Sequence, residues 1–320
     1  MVKDLLLLGI KKFVESHILP SRALLLGCSG GPDSKALLYL LIQCKRFVPF
    51  DLHVAHIDHG WREESRSQAL QLRAEVEGLG LPFHLKTLQS ADFQPGNWEN
   101  QGRDFRLEFF SDIYQEIDAQ GVVLGHHADD WAEVVLKRLF EGASLPFLGG
   151  LSQRSQLKGM SLYRPLLSVS KKEILEWLSK EGLSYFVDPT NENSAFLRNR
   201  MRLEMVPILT QSFGKQITSN LCRLGEEAQE LKAYFYEMNQ PLLKQIDLNH
   251  SLNLSSYLPL PRLQLKYLLK EWSQLEGISL SYELLNGAVD AVLHSLSSAR
   301  FCSGRGGFEI NKMIVSFIKK

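Results

Sequence analysis

The chain has 320 residues, 36 basic and 36 acidic, so its formal net charge is zero and it is not a globally basic nucleic-acid binder; only local patches are left for that role. Its length allows about two domains, each with its own core, and 44% hydrophobic with 22% charged residues is the balance of a soluble globular protein, with no apolar run long enough for a membrane span and no signal-peptide layout. Cys28, Cys44, Cys222 and Cys302 are scattered, with no CxxC or Cys/His cluster, which argues against zinc and iron–sulfur sites and fits a reducing cytoplasm.

Residues 3 to 17 predict a helix leading into a short buried strand at Leu24–Leu26. Ser29-Gly30-Gly31-Pro32-Asp33-Ser34 then forms a tight loop, and Lys35 to Leu41 resume a helical apolar pattern. Strand, glycine loop and helix together aim free N–H groups and the positive end of a helix dipole at an anion. Gly30 and Gly31 allow close backbone approach, Ser29 and Ser34 offer hydroxyls, and Lys35 is expected to place a cation beside the pocket. The spacing is neither that of a Walker A loop nor that of G-x-G-x-x-G. A carboxylate at a phosphate site is repulsive unless a divalent cation lies between them, so Asp33 points to ATP with Mg²⁺; the bland alternative is an ordinary strand-to-helix turn with serine capping.

Further strands are expected at Asp51–Ile57, Pro82–Lys86 and Gly121–Gly125, alternating with helices over about 63–78 and 98–117. That alternation predicts an α/β fold with a doubly wound parallel sheet. Polar residues crowd the carboxyl ends of the strands, where such sheets bind ligands. His126, Asp130 and Glu133 share one face if they open a helix, with His127 beside them, although acids at a helix start are also favoured by the dipole. Asp33 and Asp130 are the expected Mg²⁺ ligands. Arg103 and Arg106 form either a solvated face or the guanidinium pair that a nucleotidyl transfer needs.

Residues 142–159 read as a loop, Ser170 and Glu173 as a capping box, and Ser184–Val187 as a last strand. Arg198, Asn199, Arg200 and Arg202 are a basic patch, for RNA phosphates or simply solvated. Beyond a boundary near residue 212, residues 213–320 are expected to form a smaller, mostly helical domain. Its helices fall near 215–246, 261–275 and 281–293, and it ends in a β-hairpin around Gly304-Arg305-Gly306-Gly307.

Ser29 to Ser34 resembles the PP-loop of the N-type ATP pyrophosphatases, and the later motifs narrow the likeness. His56-x-x-His59-Gly60-x-Arg62-x-x-Ser65, Gly102-Arg103-x-x-Arg106, His126-His127-x-x-Asp130-x-x-Glu133, Arg164-Pro165-Leu166, Asp188-x-Thr190-Asn191 and Arg198-Asn199-x-x-Arg202 follow in order. This series resembles the tRNA(Ile)-lysidine synthetase family, over about residues 20 to 210 most closely, with Trp131, Val134 and Gly102 departing from its usual pattern. The resemblance implies a catalytic domain over 1–212 with an adenine nucleotide alpha-hydrolase-like fold, a tRNA-contacting domain over 213–320, and the family's short form without its last C-terminal domain. It further implies a cytoplasmic C–N-bond-forming ligase that uses ATP and Mg²⁺ to join free L-lysine to C2 of the wobble cytidine in the CAU anticodon of tRNA(Ile), with no membrane partner and a homodimer left open. Ser29, Gly30, Gly31, Pro32, Asp33 and Ser34 would bind ATP. Asp33 and Asp130 would hold the metal, and Arg103 or Arg106 would stabilise the phosphorane. Glu133 would receive the lysine ammonium, His126 or His127 would assist its deprotonation, and Arg198, Asn199 and Arg202 would contact RNA. Two rivals are a PP-loop tRNA thiolase, disfavoured by the scattered cysteines, and a non-catalytic tRNA-binding module, disfavoured by the intact acids.

Overall fold

The computed structural model describes residues 5–60, 63–94, 96, 98–187 and 197–319. It divides into two compact units, residues 1–227 and 228–320. In chain order the first unit contains α1 (Leu5–His17), β1 (Ala23–Gly27), α2 (Pro32–Cys44), β2 (Asp51–Asp58), α3 (Glu63–Gly78), β3 (Phe83–Thr87), α4 (Trp98–Glu116), β4 (Val122–Leu124), α5 (Ala128–Phe140), β5 (Arg154–Leu157), β6 (Met160–Tyr163) and α6 (Lys171–Lys180). After α6 come α7 (Leu197–Arg200), a π-helical segment (Met201–Met205), α8 (Val206–Phe213) and α9 (Ile217–Leu243), which runs into the second unit.

The sheet of the first unit has the order β3-β2-β1-β4-β6-β5. All its pairs are parallel except β5–β6. Parallel strands are covered on both faces, and β1 reads accordingly, with Leu24, Leu25 and Leu26 fully buried. One face packs on Leu37, Leu38, Leu40 and Leu41 of α2, the other on Phe110 and Ile113 of α4. The strand order reverses between β1 and β4: from β1 the chain goes outward to β2 and β3, then returns to β4 on the other side. A crevice opens at the carboxyl ends of strands at such a switch point.

Two expectations are corrected. The stretch 142–159 is not all loop: it contains β5, which pairs antiparallel with the unforeseen strand β6 and edges the parallel sheet. Ser184–Val187 adopts no strand; instead the Phe186 N–H bonds to Gly30 O at 2.9 Å, tying this stretch to the glycine loop.

The second unit adds β7 (Ser251–Asn253), α10 (Arg262–Leu275), α11 (Tyr282–Leu293), β8 (Ala299–Ser303), β9 (Gly306–Asn311) and β10 (Ile314–Lys319). The hairpin expected around Gly304–Gly307 is β8–β9, and it belongs with β10 and β7 to a four-stranded antiparallel sheet, β7-β10-β9-β8. Trp272 of α10 packs on Phe308 of β9 and Phe317 of β10, with Val289 and Val292 of α11 in the same core.

Candidate active site

The loop between β1 and α2 is braced from within. Ser34 Oγ accepts the Ser29 N–H at 3.1 Å and donates to Gly31 O at 3.1 Å, while Ser29 Oγ accepts the Gly31 N–H at 3.3 Å. The Ser34 hydroxyl is thus spent holding the loop's shape. Gly30 sits at φ +79°, and a Cβ there would lie 2.4 Å from the Phe186 ring. A Cβ on Gly125 at the end of β4 would lie 3.1 Å from Ser34 N. Gly31 caps α2 without a side-chain bond, and Pro32 has no N–H. The N–H groups of Asp33 and Ser34 therefore head a helix with no intrahelical acceptor, the arrangement that fits a phosphate.

Lys35 does not face this pocket. It is 3% exposed and ion-paired with Glu75 of α3, whose carboxylate also accepts Tyr39 Oη at 2.8 Å. The cation beside Asp33 comes from α6: Lys171 Nζ donates to Asp33 Oδ1 at 2.6 Å. Its main-chain N–H also bonds Asp129 Oδ2, at 2.8 Å. Sequence reasoning misses Lys171. Its one local signal is a cation in the first turn of a helix, where the dipole disfavours it.

At the start of α5, Asp130 Oδ2 accepts the His127 N–H at 3.1 Å, half of a capping box. The His127 ring is enclosed by acids, with Nε2 3.4 Å from Asp130 and 3.7 Å from Asp33, and Nδ1 3.5 Å from Asp129. Asp33, His127 and Asp130 therefore meet at the switch point, as do the N-termini of α2, α5 and α6.

The arginines expected on RNA lie on these acids. Arg198 Nε donates to Glu133 Oε2 at 2.7 Å and its Nη2 to Asp130 Oδ1 at 2.5 Å. Arg202 repeats the pattern, with Nε on Glu133 Oε1 at 2.7 Å and Nη2 on Asp130 Oδ1 at 3.0 Å. Both Glu133 oxygens are thereby occupied, and its side chain is only 5% exposed. Arg202 sits in the π-helical segment, a device that recurs at functional sites. Burial opposes the charge on Asp130, yet His127, Arg198 and His126 hold its pKa below the usual range. Burial likewise opposes the Arg198 charge, but Asp130 and Glu133 more than offset it and raise its pKa.

Around this pair stand groups that carry positive charge or are kept neutral. Burial, with Arg164, Arg198 and Arg106 nearby and only Asp130 opposing, lowers the His126 pKa to about 4. Burial, then Arg106 and His56, takes His59 to about 4 as well. Desolvation, then the Arg103 and Arg198 cations, lowers Arg106, although that residue keeps an exposed side. Arg164 is buried, with Nη1 on Ser152 O and Ser155 Oγ at 2.9 Å each. Mutual repulsion within such a cluster is relieved by a bound anion. Asn199 is partly buried beside Arg198. Arg62, Asp188, Thr190 and Asn191 lie outside the described residues.

Among the described residues no group of three or more His, Cys, Asp or Glu side chains forms a ready metal site. Mg²⁺ does not require one, since it binds through one or two carboxylates with phosphate oxygens and water. Asp33, 26% exposed and, among the described residues, paired with Lys171 and the His127 edge, fits that role. Asp130 carries both arginines on one oxygen and the cap on the other. Burial raises the pKa of the Cys28 thiol behind the loop and pushes Cys44 and Cys222 up to about 11 each.

Residues 7–209 match the family model described as a PP-loop domain. The chain is 37% identical to a tRNA(Ile)-lysidine synthase of Protochlamydia amoebophila, over 88% of this chain and 62% of that protein, so the match spans less than two thirds of that relative's length. It is 39% identical to a tRNA(Ile)-lysidine synthase of Chlamydia pneumoniae, over 85% of both chains. Among solved structures, a U34-tRNA thiolase, NcsA, from Methanococcus maripaludis with its [4Fe-4S] cluster superposes with a TM-score of 0.57 at 18% identity, over 70% of this chain and 78% of that one. That likeness reports the shared fold.

Proposed function

The chain belongs to the tRNA(Ile)-lysidine synthase family of PP-loop proteins, and we propose that it joins lysine to C2 of the wobble cytidine in the CAU anticodon of tRNA(Ile) at the expense of ATP. The observation that carries this reading is the meeting of Asp33, His127 and Asp130 with an uncapped helix start at the sheet's switch point. ATP is bound with its phosphates on the loop 29–34. The cytidine O2 attacks the α-phosphorus as the bond to the bridging oxygen breaks, and pyrophosphate leaves with the electron pair. The ε-amine of lysine then forms its bond to C2, and AMP departs.

The residues divide this work. Asp33 would hold Mg²⁺, which when bound supplies charge neutralisation at the phosphates. Asp130, its oxygens already engaged, would join that role through its charge. Arg103 and Arg106 would take the negative charge that develops on the α-phosphate. Arg198 and Arg202 present half-exposed guanidinium edges beside the acids and would meet RNA phosphates there, with Asn199 between them. Glu133 would anchor those two arginines, which takes up the oxygens a lysine ammonium would need. His126, neutral when free, would be drawn back up in pKa by the phosphates of bound ATP and RNA, towards the range in which it can accept a proton from the incoming ammonium.

No helix among the described residues is long and apolar enough to cross a membrane, and a cytoplasmic setting goes with this reading. A thiolase would need reactive sulfur, and the raised thiol pKa values of Cys28 and Cys222 argue against it. The test is to incubate the protein with ATP, labelled lysine and bulk bacterial tRNA. Label should enter RNA only when ATP is present; no transfer with an active tRNA preparation rejects the assignment.

A further inference from the structure

Lys171 has no place in the division of work among the site residues, yet it touches the loop's acid. It is the first residue of α6, behind the capping box of Ser170 and Glu173. A cation there opposes the helix dipole, so helix stability does not account for it. Its main-chain N–H is fixed by Asp129 of α5, and its side chain crosses to Asp33 of α2. It thus links all three helix starts that converge at the switch point. The Asp33–Lys171 pair is partly exposed, at 26% and 31%, and a solvent-screened ion pair contributes little to stability. Lys35, the cation the loop itself supplies, is locked on Glu75 and cannot reach a ligand there.

We propose that Lys171 is a catalytic residue of the adenylation step, its ammonium binding the β- and γ-phosphates of ATP and neutralising the pyrophosphate as it leaves. This rests on the ATP-cleaving function proposed for the chain. With Asp33 engaged by a divalent cation, the Lys171 ammonium would give up Oδ1 and would find its next anion in phosphates held on the Asp33 and Ser34 N–H groups. As the bond from the α-phosphorus to the bridging oxygen breaks, the electron pair moves onto pyrophosphate, and a flexible ammonium follows that charge. Lysine suits this better than a rigid guanidinium fork, since it acts as a movable point charge.

The probes are inorganic pyrophosphate with Mg²⁺, and AMP, titrated calorimetrically into the full chain. Lys171→Met should weaken pyrophosphate binding by about tenfold or more, the loss of a charge-assisted hydrogen bond, and leave AMP binding unchanged. Lys171→Arg should restore most of it, and Lys172→Met, one residue further on, should match the wild type. In turnover, Lys171→Met should lower kcat for AMP formation more than it raises the KM for ATP. Equal pyrophosphate binding by Lys171→Met and wild type overturns the proposal. Loss of AMP binding as well overturns it in favour of a structural prop. If the wild type binds neither AMP nor pyrophosphate, the ATP-cleaving function falls, and this proposal with it.

Discussion

Glu133 accepts one Nε–H from each of two arginines, whose Nη2 groups also bond Asp130. Removing one partner from a buried ion pair leaves charge uncompensated, at about 3–5 kcal/mol when burial is complete. Because Arg198 and Arg202 remain partly exposed, Glu133→Gln should cost less, about 2 kcal/mol, read from urea denaturation. Adenylation should fall with it, while the KM for lysine stays near the wild-type value. A selective rise in that KM, with adenylation intact, would instead make Glu133 the seat of the lysine ammonium. A second expectation concerns pH. His59 and His126 both have folded pKa values of about 4, below the ordinary histidine value of 6.5. As pH falls from 6.5 towards 4 the unfolded chain takes up protons that the folded chain refuses, so the stability they contribute is complete above 6.5 and is lost across that window. Urea midpoints measured from pH 7 to pH 4 should fall steadily, and replacing His59 by Gln should flatten the fall. A midpoint that holds constant over the range would show that neither imidazole is kept neutral.

At the level of elements, the start of α6 is the part on which the site leans most. Ser170 Oγ accepts the Glu173 N–H at 3.2 Å, and Glu173 returns a carboxylate to the Ser170 N–H at 2.9 Å. Ser170→Ala removes that cap and should cost about 1 kcal/mol. The same change at Ser281, which caps α11 in the second unit through the Leu284 N–H, should cost a similar amount. Only Ser170→Ala should also weaken ATP binding, because it frays the turn that carries Lys171; equal ATP affinity in the two variants would separate α6 from the site. That cap was legible in the sequence, as was the glycine loop between β1 and α2, because each is written within six residues by turn chemistry and apolar period. The hairpin of β5 and β6 was not: its strands are four residues each, flanked by Gly150 and Gly159 and without a run of apolar residues. The apolar residues of Ser184–Val187 imitate a strand but serve as a strap on Gly30. The pairing of Arg198 and Arg202 with Asp130 and Glu133 spans 65 to 72 residues, and local pattern carries no trace of it. The sequence offered a basic patch and an acidic helix start as separate features, and the fold set one upon the other.

For the molecule as a whole, charge is the deciding quantity. With 36 basic and 36 acidic residues the chain has no overall field to draw a polyanion, so RNA affinity must come from a few local cations. Two of those, Arg198 and Arg202, are already half-neutralised by Asp130 and Glu133. An RNA phosphate that reaches them competes with carboxylates as well as with salt, and each such exchange releases fewer counterions than a free surface arginine would. Proteins that neutralise about six to ten phosphates lose about 10³–10⁵ in affinity between 50 and 200 mM salt. Binding of tRNA by this chain should lose less than about a thousandfold over the same range, the lower end of that scale. Replacing Arg198 and Arg202 together by alanine should make the dependence shallower still, by up to about one unit of slope for each phosphate that is no longer neutralised. Filter binding at several salt concentrations measures both. A steep wild-type slope would require a large basic surface that a neutral chain does not supply at these residues, and would shift RNA recognition onto other cations; an unchanged slope in the double variant would confine Arg198 and Arg202 to holding the two acids.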